Sequence, residues 1–365
     1  MNLPSVTRRP FGTLPDGSVV DLWRLEAGDG PFAEVLTYGG VLHAFGTGAG
    51  TEGTGGTGRS IVLSLPDLDS YLKESPYFGA LVGRYANRIA DGRFVLDGTE
   101  HQVPPNDRGN ALHGGPDGFD RRLWRAEPAA GREAAALRLE LTSPDGDMGF
   151  PGAVKVSAEY ALRPDGTLTL TYRATTDRAT VVSLTNHAYF NLAGPGGTVL
   201  DHRLTVHADA YLPVDDRSIP TGERRPVAGT PFDLTAATRI GDRVGSPDPQ
   251  LRAAGGYDHC WILRDGSDHD LTLRQAALLT GPDGTSLEVR TTEPGLQVYT
   301  GNFLDGTARG TEGVAYPRHG AVCLETQRFP DSPNRPEFPS AVLRPGETLY
   351  SRTEYRLCGE RTGRR

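Results

Sequence analysis

Asp-Gly occurs ten times in this chain, from Asp16-Gly17 to Asp305-Gly306, and few dipeptides restrict a fold more. Both residues tolerate the left-handed backbone of a tight turn, so Asp-Gly between alternating segments is a strong hairpin signal. Three places carry the whole pattern. Arg93 to Leu96 and Glu100 to Val103 flank Asp97-Gly98. Val154 to Leu162 and Thr167 to Ala174 flank Pro164-Asp165-Gly166. Leu271 to Leu279 and Ser286 to Arg290 flank Asp283-Gly284. Alternation recurs at Leu137, Leu139 and Leu141, and again at Leu349, Ser351, Thr353, Tyr355 and Leu357. A sheet with one buried face produces this period of two.

Helical periodicity is scarce. Pro66 to Lys73 predicts two turns, with Leu68, Tyr71 and Leu72 inward and Pro76 as the stop. Gly46 to Ser60, rich in Gly, Thr and Ala, is expected to be a mobile loop, and the Pro/Gly-rich Asp242 to Gly256 a second loop. Short strands broken by turn chemistry predict an all-β protein, a sandwich or a barrel. Neither an internal repeat nor a long linker divides the chain, so residues 1–365 are expected to form a single domain.

With 365 residues, 37% of them hydrophobic, the chain can bury a core that needs no disulfide or metal staple. Its formal net charge is -8 and its Lys and Arg are scattered, which disfavours nucleic acid and anionic membranes as partners. Cysteines number three, an odd count without a Cys-x-x-Cys pair. That argues against a disulfide framework and a cysteine zinc site, and fits a reducing compartment. The N-terminus lacks the apolar run of a signal peptide, and no apolar stretch is long enough to span a bilayer, so a cytoplasmic protein is expected.

Five polar clusters stand out, each set among Gly, Asn or aromatic residues: Gly83 to Ile89, Asn110 to Gly115, Thr185 to Leu192, Gly256 to Trp261 and Leu324 to Gln327. In the last, Ala321 to Leu324 leads into Glu325, and a Pro-rich turn, Pro330 to Pro339, follows. A carboxylate at the end of a strand is held still, as proton transfer requires, because geometry comes before pKa. His187 sits among Asn186, Asn191, Tyr189 and Phe190. A lone buried His is more often structural. Amides and aromatics around it tilt the reading toward a sugar site, where rings stack on apolar faces and amides bond hydroxyls. His113 before Gly114-Gly115 is a turn residue or a ligand contact. Asn87-Arg88 is a surface pair or a set of donors for ligand oxygens. Asp258 is a solvated acid or an acceptor for two sugar hydroxyls.

His113, His187, Asp258 and Glu325 have the residue types of a metal site, but no His-x-His or His-x3-His pair and no compact ligand spacing, so a metal-free site is expected. A serine-hydrolase elbow is missing, and Gly53 to Ser60 lacks the Gly-Lys-Ser/Thr ending of a phosphate loop.

These clusters, together with Pro294-Gly295-Leu296-Gln297-Val298-Tyr299-Thr300-Gly301-Asn302-Phe303, resemble the aldose 1-epimerase family, the galactose mutarotases, in order and rough spacing across nearly the whole chain. The resemblance implies a large antiparallel β-sandwich, a supersandwich, with few short helices. It implies Glu325 and His187 as catalytic residues, and Asn87, Arg88, His113, Tyr189, Asp258 and Gln297 as substrate-binding residues. The implied reaction interconverts α and β anomers of free aldohexoses such as galactose and glucose. No cofactor and no metal are needed, and the partner is a small aldose, with the protein a monomer or homodimer. Two alternatives stay open: a hexose-6-phosphate 1-epimerase, which needs basic residues converging on the phosphate, and a non-catalytic sugar-binding protein of the same fold.

Overall fold

The Asp-Gly turns close the hairpins expected of them. Arg93–Leu96 pairs with Thr99–Gln102, and Leu96 faces Thr99 across the turn. Asp97 and Gly98 have φ of 50° and 80°, the left-handed pair of a two-residue hairpin. Val154–Leu162 pairs with Thr167–Thr176. Arg274–Thr280 pairs with Ser286–Thr291. This computed structural model describes residues 3–28, 30–48, 59–74, 76–129, 133–264 and 271–358.

These hairpins feed a nine-stranded sheet. Its order is Arg125–Ala129, Ala135–Ser143, Val154–Leu162, Thr167–Thr176, Leu349–Cys358, Ser286–Thr291, Arg274–Thr280, Arg203–Val206 and Thr238–Arg239. A six-stranded sheet runs Tyr189–Phe190, Val322–Gln327, Gly295–Tyr299, Asp258–Leu263, Ala208–Leu212 and Arg225–Pro226. Every pairing in both sheets is antiparallel. A five-stranded sheet covers the N-terminal part, from Ser5–Thr13 to Arg59–Ser60. The fold is the large antiparallel β-sandwich expected.

One continuous core joins the two larger sheets. Leu296, Val298, Val322, Leu324, Trp261 and Leu263 from the six-stranded sheet meet Leu170, Leu287, Val289 and Tyr355 from the nine-stranded one. Phe190 lies 5.3 Å from the Tyr355 ring. Thr326 Oγ1 meets Thr353 Oγ1 at 2.6 Å, so a polar pair inside this layer satisfies itself. A second cluster packs Val20, Leu22, Leu36, Leu68 and Tyr71 against Tyr189, Tyr299 and Cys323. The N-terminal sheet and the Leu68–Glu74 helix thus cover part of the other face of the six-stranded sheet.

Two local expectations need correction. Asp242 to Gly256 is not a loop throughout: it carries the helices Gly241–Val244 and Pro249–Ala254. In the second, the Asp248 side chain accepts from Gln250 N, Pro249 opens the helix, and Gly255 closes it at φ 70°. Asp at the N-cap, Pro at N1 and Gly past the end are helix punctuation, so the Pro and Gly taken as loop markers delimit a helix. In the Gly46 to Ser60 segment, Gly46 and Thr47 pair with Ser60 and Arg59 as strand ends. Residues 49–58 lie outside the described residues. All three cysteines are free. Among the described residues no helix is long and apolar enough to cross a membrane.

Candidate active site

Strand register builds one wall of the site. Glu325 pairs with Gln297, and Gln297 with Cys260. Cys323 pairs with Tyr299 and with Tyr189, and Tyr299 with Asp258. Residues directly opposite in an antiparallel sheet share a face, and alternate residues along a strand do too. Tyr189, Cys323, Glu325, Tyr299, Gln297 and Asp258 therefore stand on one face of the six-stranded sheet. Leu324, Leu296 and Val298 point the other way, into the core.

Loops build the facing wall. Arg88–Ile89 pairs with Ala111–Leu112 for two residues. Asn87 and His113, at the ends of that pairing, both have left-handed backbones, with φ of 66° and 53°. They support each other: His113 N donates to Asn87 O at 3.1 Å, and Asn87 N donates to His113 Nδ1 at 3.1 Å. Gly114 makes the approach feasible, since a Cβ there would sit 2.1 Å from Gly83 O. His187 is fixed by its backbone, with its N–H on Ala80 O at 2.9 Å and its carbonyl accepting from Gly79 N at 3.0 Å.

The cleft between the walls is lined by Asn87, Arg88, His113, His187, Tyr189, Asp258 and Glu325, together with Tyr77, Leu112, Tyr299 and Phe303. Its cavity volume is about 130 Å³, and its concave, partly apolar lining with a few convergent polar groups is the form of a small-ligand site. A wider groove on the outer face of the nine-stranded sheet, lined by Glu140, Lys155, Ser157 and Arg173 among others, has no buried polar side chain in its lining. The narrower cleft is where the chemistry converges.

Its centre is a carboxyl–imidazole pair. His187 Nε2 stands 3.7 Å from Glu325 Oε1, and both side chains are buried. Glu325 Oε2 has no hydrogen-bond partner among the described residues. Burial, reinforced by the Asp258 charge and opposed by Arg88, pushes the Glu325 carboxyl well above the usual carboxylate range. Burial also pushes the His187 imidazole down to about 4, partly offset by Asp258. Both shifts run toward the uncharged forms, so burial favours a pair that holds its single proton without separated charges. The His113 ring lies 5.3 Å from the His187 ring, and burial, then the charges of His187 and Arg88, hold it well below its ordinary value. Tyr77, at φ 65°, packs its ring 4.5 Å from His113 and 5.7 Å from His187.

Ligand atoms of His113, His187 and Glu325 all lie within 4.8 Å of one another, close enough for a cation. The proton arrangement favours a different ligand. Asn87 N–H points at His113 Nδ1, so the neutral ring must carry its proton on Nε2. That nitrogen is a donor for an oxygen, not a lone pair for a metal, and the Arg88 guanidinium stands in the same cleft.

Of the residues expected in the site, Gln297 alone is absent from the cleft lining. It lies behind Asp258, donating from Nε2 to Asp258 Oδ1 at 2.7 Å. Tyr189 lines the cleft with its ring, while its hydroxyl donates to Pro76 O at 3.0 Å. Four further groups went unassigned in the sequence. Tyr299 and Phe303 fall inside the Pro294 to Phe303 motif and were legible there. Tyr77 has no local signal. Asp107, which accepts from Arg88 Nε at 2.8 Å, sits in a turn that reads as ordinary loop.

A buried carboxyl and imidazole side by side among hydrogen-bond donors, on an antiparallel β-sandwich, are the groups that acid–base chemistry on a hydroxylated ligand requires. The aldose 1-epimerase family model matches residues 21–356. A galactose mutarotase of Mus musculus is 43% identical over 355 residues, covering 97% of this chain and 98% of that protein. The aldose 1-epimerase of Escherichia coli K12 is 39% identical over 349 residues, covering 95% and 97%. Among solved structures, the galactose 1-epimerase of Lactobacillus acidophilus aligns with a TM-score of 0.85 at 30% identity, covering 98% of this chain and 99% of that one. This chain belongs to the aldose 1-epimerase family, a family of isomerases.

Proposed function

We propose that this protein interconverts the α and β anomers of free aldohexoses such as galactose and glucose. The observation that carries the reading is the buried pair, His187 Nε2 at 3.7 Å from Glu325 Oε1, at the centre of a cleft lined by sugar-binding residue types.

Glu325 takes the proton of the C1 hydroxyl while His187 gives one to the ring oxygen O5. The C1–O5 bond breaks and leaves an aldehyde and a free C5 hydroxyl. The C1 carbonyl rotates about C1–C2, and the ring recloses with the proton roles reversed. One proton enters the pair and one leaves in each half, so no cofactor is required. Burial favours the uncharged pair, and sugar hydroxyls reaching Glu325 supply the hydrogen bonds that its ionised form lacks. His113 Nε2–H and Arg88 donate to the ring-oxygen side, where charge develops. Asn87 and Asp258, backed by Gln297, hold the other hydroxyls while C1 turns.

The reading on hexose 6-phosphates is weaker, because the arginines that would have to converge are dispersed. Arg84 is buried and spends its guanidinium on the carbonyls of Ser143, Pro144, Pro151 and Gly152. Arg93 donates to Gln102 Oε1 at 2.7 Å, and only Arg88 of the three lines the cleft.

Polarimetry of freshly dissolved α-D-galactose and α-D-glucose tests the proposal. The protein should speed the drift to equilibrium, and glucose 6-phosphate should compete poorly. Tight sugar binding without acceleration would sink it in favour of a binding protein.

A further inference from the structure

Arg88 has a choice of carboxylates. Its Nε donates to Asp107 Oδ2 at 2.8 Å, whereas Nη2 stands 3.8 Å from Asp258 Oδ2, beyond hydrogen-bond reach. Glu325 is close enough to feel the same positive charge. Asp107 is outside the cleft lining, and its backbone is pinned: Asp107 N donates to Asn110 O at 3.0 Å, and Asn110 N returns a bond to Asp107 O at 2.7 Å. Asn110 is anchored in turn, its Nδ2 donating to Arg217 O at 3.0 Å and its Oδ1 accepting from Asp91 N at 3.0 Å. The carboxylate holding Arg88 is therefore a built part of the structure.

We propose that Asp107 is a positioning residue that anchors the Arg88 guanidinium and so keeps it from closing onto Asp258 and Glu325. The physical reason is competition. A guanidinium in direct contact stabilises a carboxylate's ionised form and lowers its proton affinity. Glu325 paired that way would lose the base strength it needs to take the C1 proton. A guanidinium tethered at Nε still offers its Nη groups to sugar oxygens. This inference rests on the proposed roles of Glu325 and His187.

The charged and titratable groups around Glu325 fix the sign. Asp258 raises its proton affinity, Arg88 lowers it, and His187 and His113, pushed down by burial, are neutral near pH 7. The Cys260 and Cys323 thiols, pushed up by burial, are neutral as well. Releasing Arg88 from Asp107 brings positive charge toward Glu325, so its proton should leave at lower pH.

The experiment compares Asp107→Asn and Asp107→Ala with Asp107→Glu, following kcat/KM against pH. In parallel, the Glu325 carboxyl is titrated by carbon-13 NMR in glutamate-labelled protein, its signal identified by its loss in Glu325→Gln. We expect the Asn and Ala variants to lower the proton affinity of Glu325 at least about threefold, roughly half a pH unit, and Asp107→Glu to restore it. In an Arg88→Met background, Asp107→Asn should leave the midpoint where it is. Activity lost evenly at all pH with an unmoved midpoint, or a shift that persists without Arg88, overturns the proposal. Wild-type turnover in Glu325→Gln would instead overturn the reading of the site, so the two failures are separable.

Discussion

The Val322–Gln327 strand is buried on both faces, and the two faces do opposite things. On one, Val322 and Leu324 join the core, and Thr326 bonds Thr353. On the other stand Cys323, Glu325 and Gln327, where Glu325 Oε2 and both amide atoms of Gln327 find no partner among the described residues. A second buried carboxylate sharpens the contrast. Glu354, in the nine-stranded sheet, is met by Arg352, Arg163 and Arg290. It is neutralised in place, as a structural carboxylate must be. Glu325 is left without such a match, which suits a group that must exchange its proton with a ligand. Burial alone distinguishes neither the faces nor the carboxylates; the partners do.

The contrast breaks first at the pair. Glu325→Gln and His187→Asn should each lower kcat by about 10²–10⁴-fold, measured by polarimetry, while circular dichroism shows an unchanged fold. Near wild-type rates in either variant would reduce the site face to structure. Leu324→Ala, one residue away on the core face, should do the reverse. It should lower stability by roughly 2–5 kcal/mol in urea denaturation, with kcat per folded molecule unchanged.

Asp258→Asn probes the charge beside the pair. It should lower kcat/KM about 10–100-fold, the loss of a charge-assisted bond, and move the alkaline limb of the pH profile to lower pH, because the Asp258 charge supports the proton on Glu325. An alkaline limb that stays put would remove Asp258 from the pair's electrostatics.

The wild-type profile is the gentlest test. The working state carries one proton on the pair. Falling pH adds a second, to His187 at about 4, and gives the acid limb. Rising pH removes the last, from Glu325 well above the carboxylate range, and gives the alkaline limb. Both limbs belong to the pair, and burial spreads them further apart than the ordinary values of a glutamate and a histidine would. A profile with no acid limb near pH 4, or one flat from pH 4 to well above neutrality, would contradict a one-proton pair.

Much of this was legible in the sequence. Asp97-Gly98 and Asp165-Gly166 announce their hairpins because two-residue turns need left-handed backbone, a local property. The alternation of Leu349 to Leu357 announces a half-buried strand for an equally local reason. The helix at Pro249–Ala254 was misread although Asp248, Pro249 and Gly255 spell out its ends, since the same residues also mark loops. Glu325, His187, His113 and Arg88 were legible as motif residues. Tyr77 and Asp107 were not, because each acts through a neighbour distant in sequence.

The strands, their turns and the family follow from the residues in order, since turn chemistry, period-two alternation and motif order are written along the chain. Packing settled which face of the Val322–Gln327 strand became core, which nitrogen of His113 carries the proton, and that Glu325 meets His187 without a neutralising partner. Those outcomes depend on contacts between segments far apart in sequence, such as Asn87 N–H on His113 and Asp258 beside Glu325, and a charge or proton takes its energy from whatever folding brings next to it.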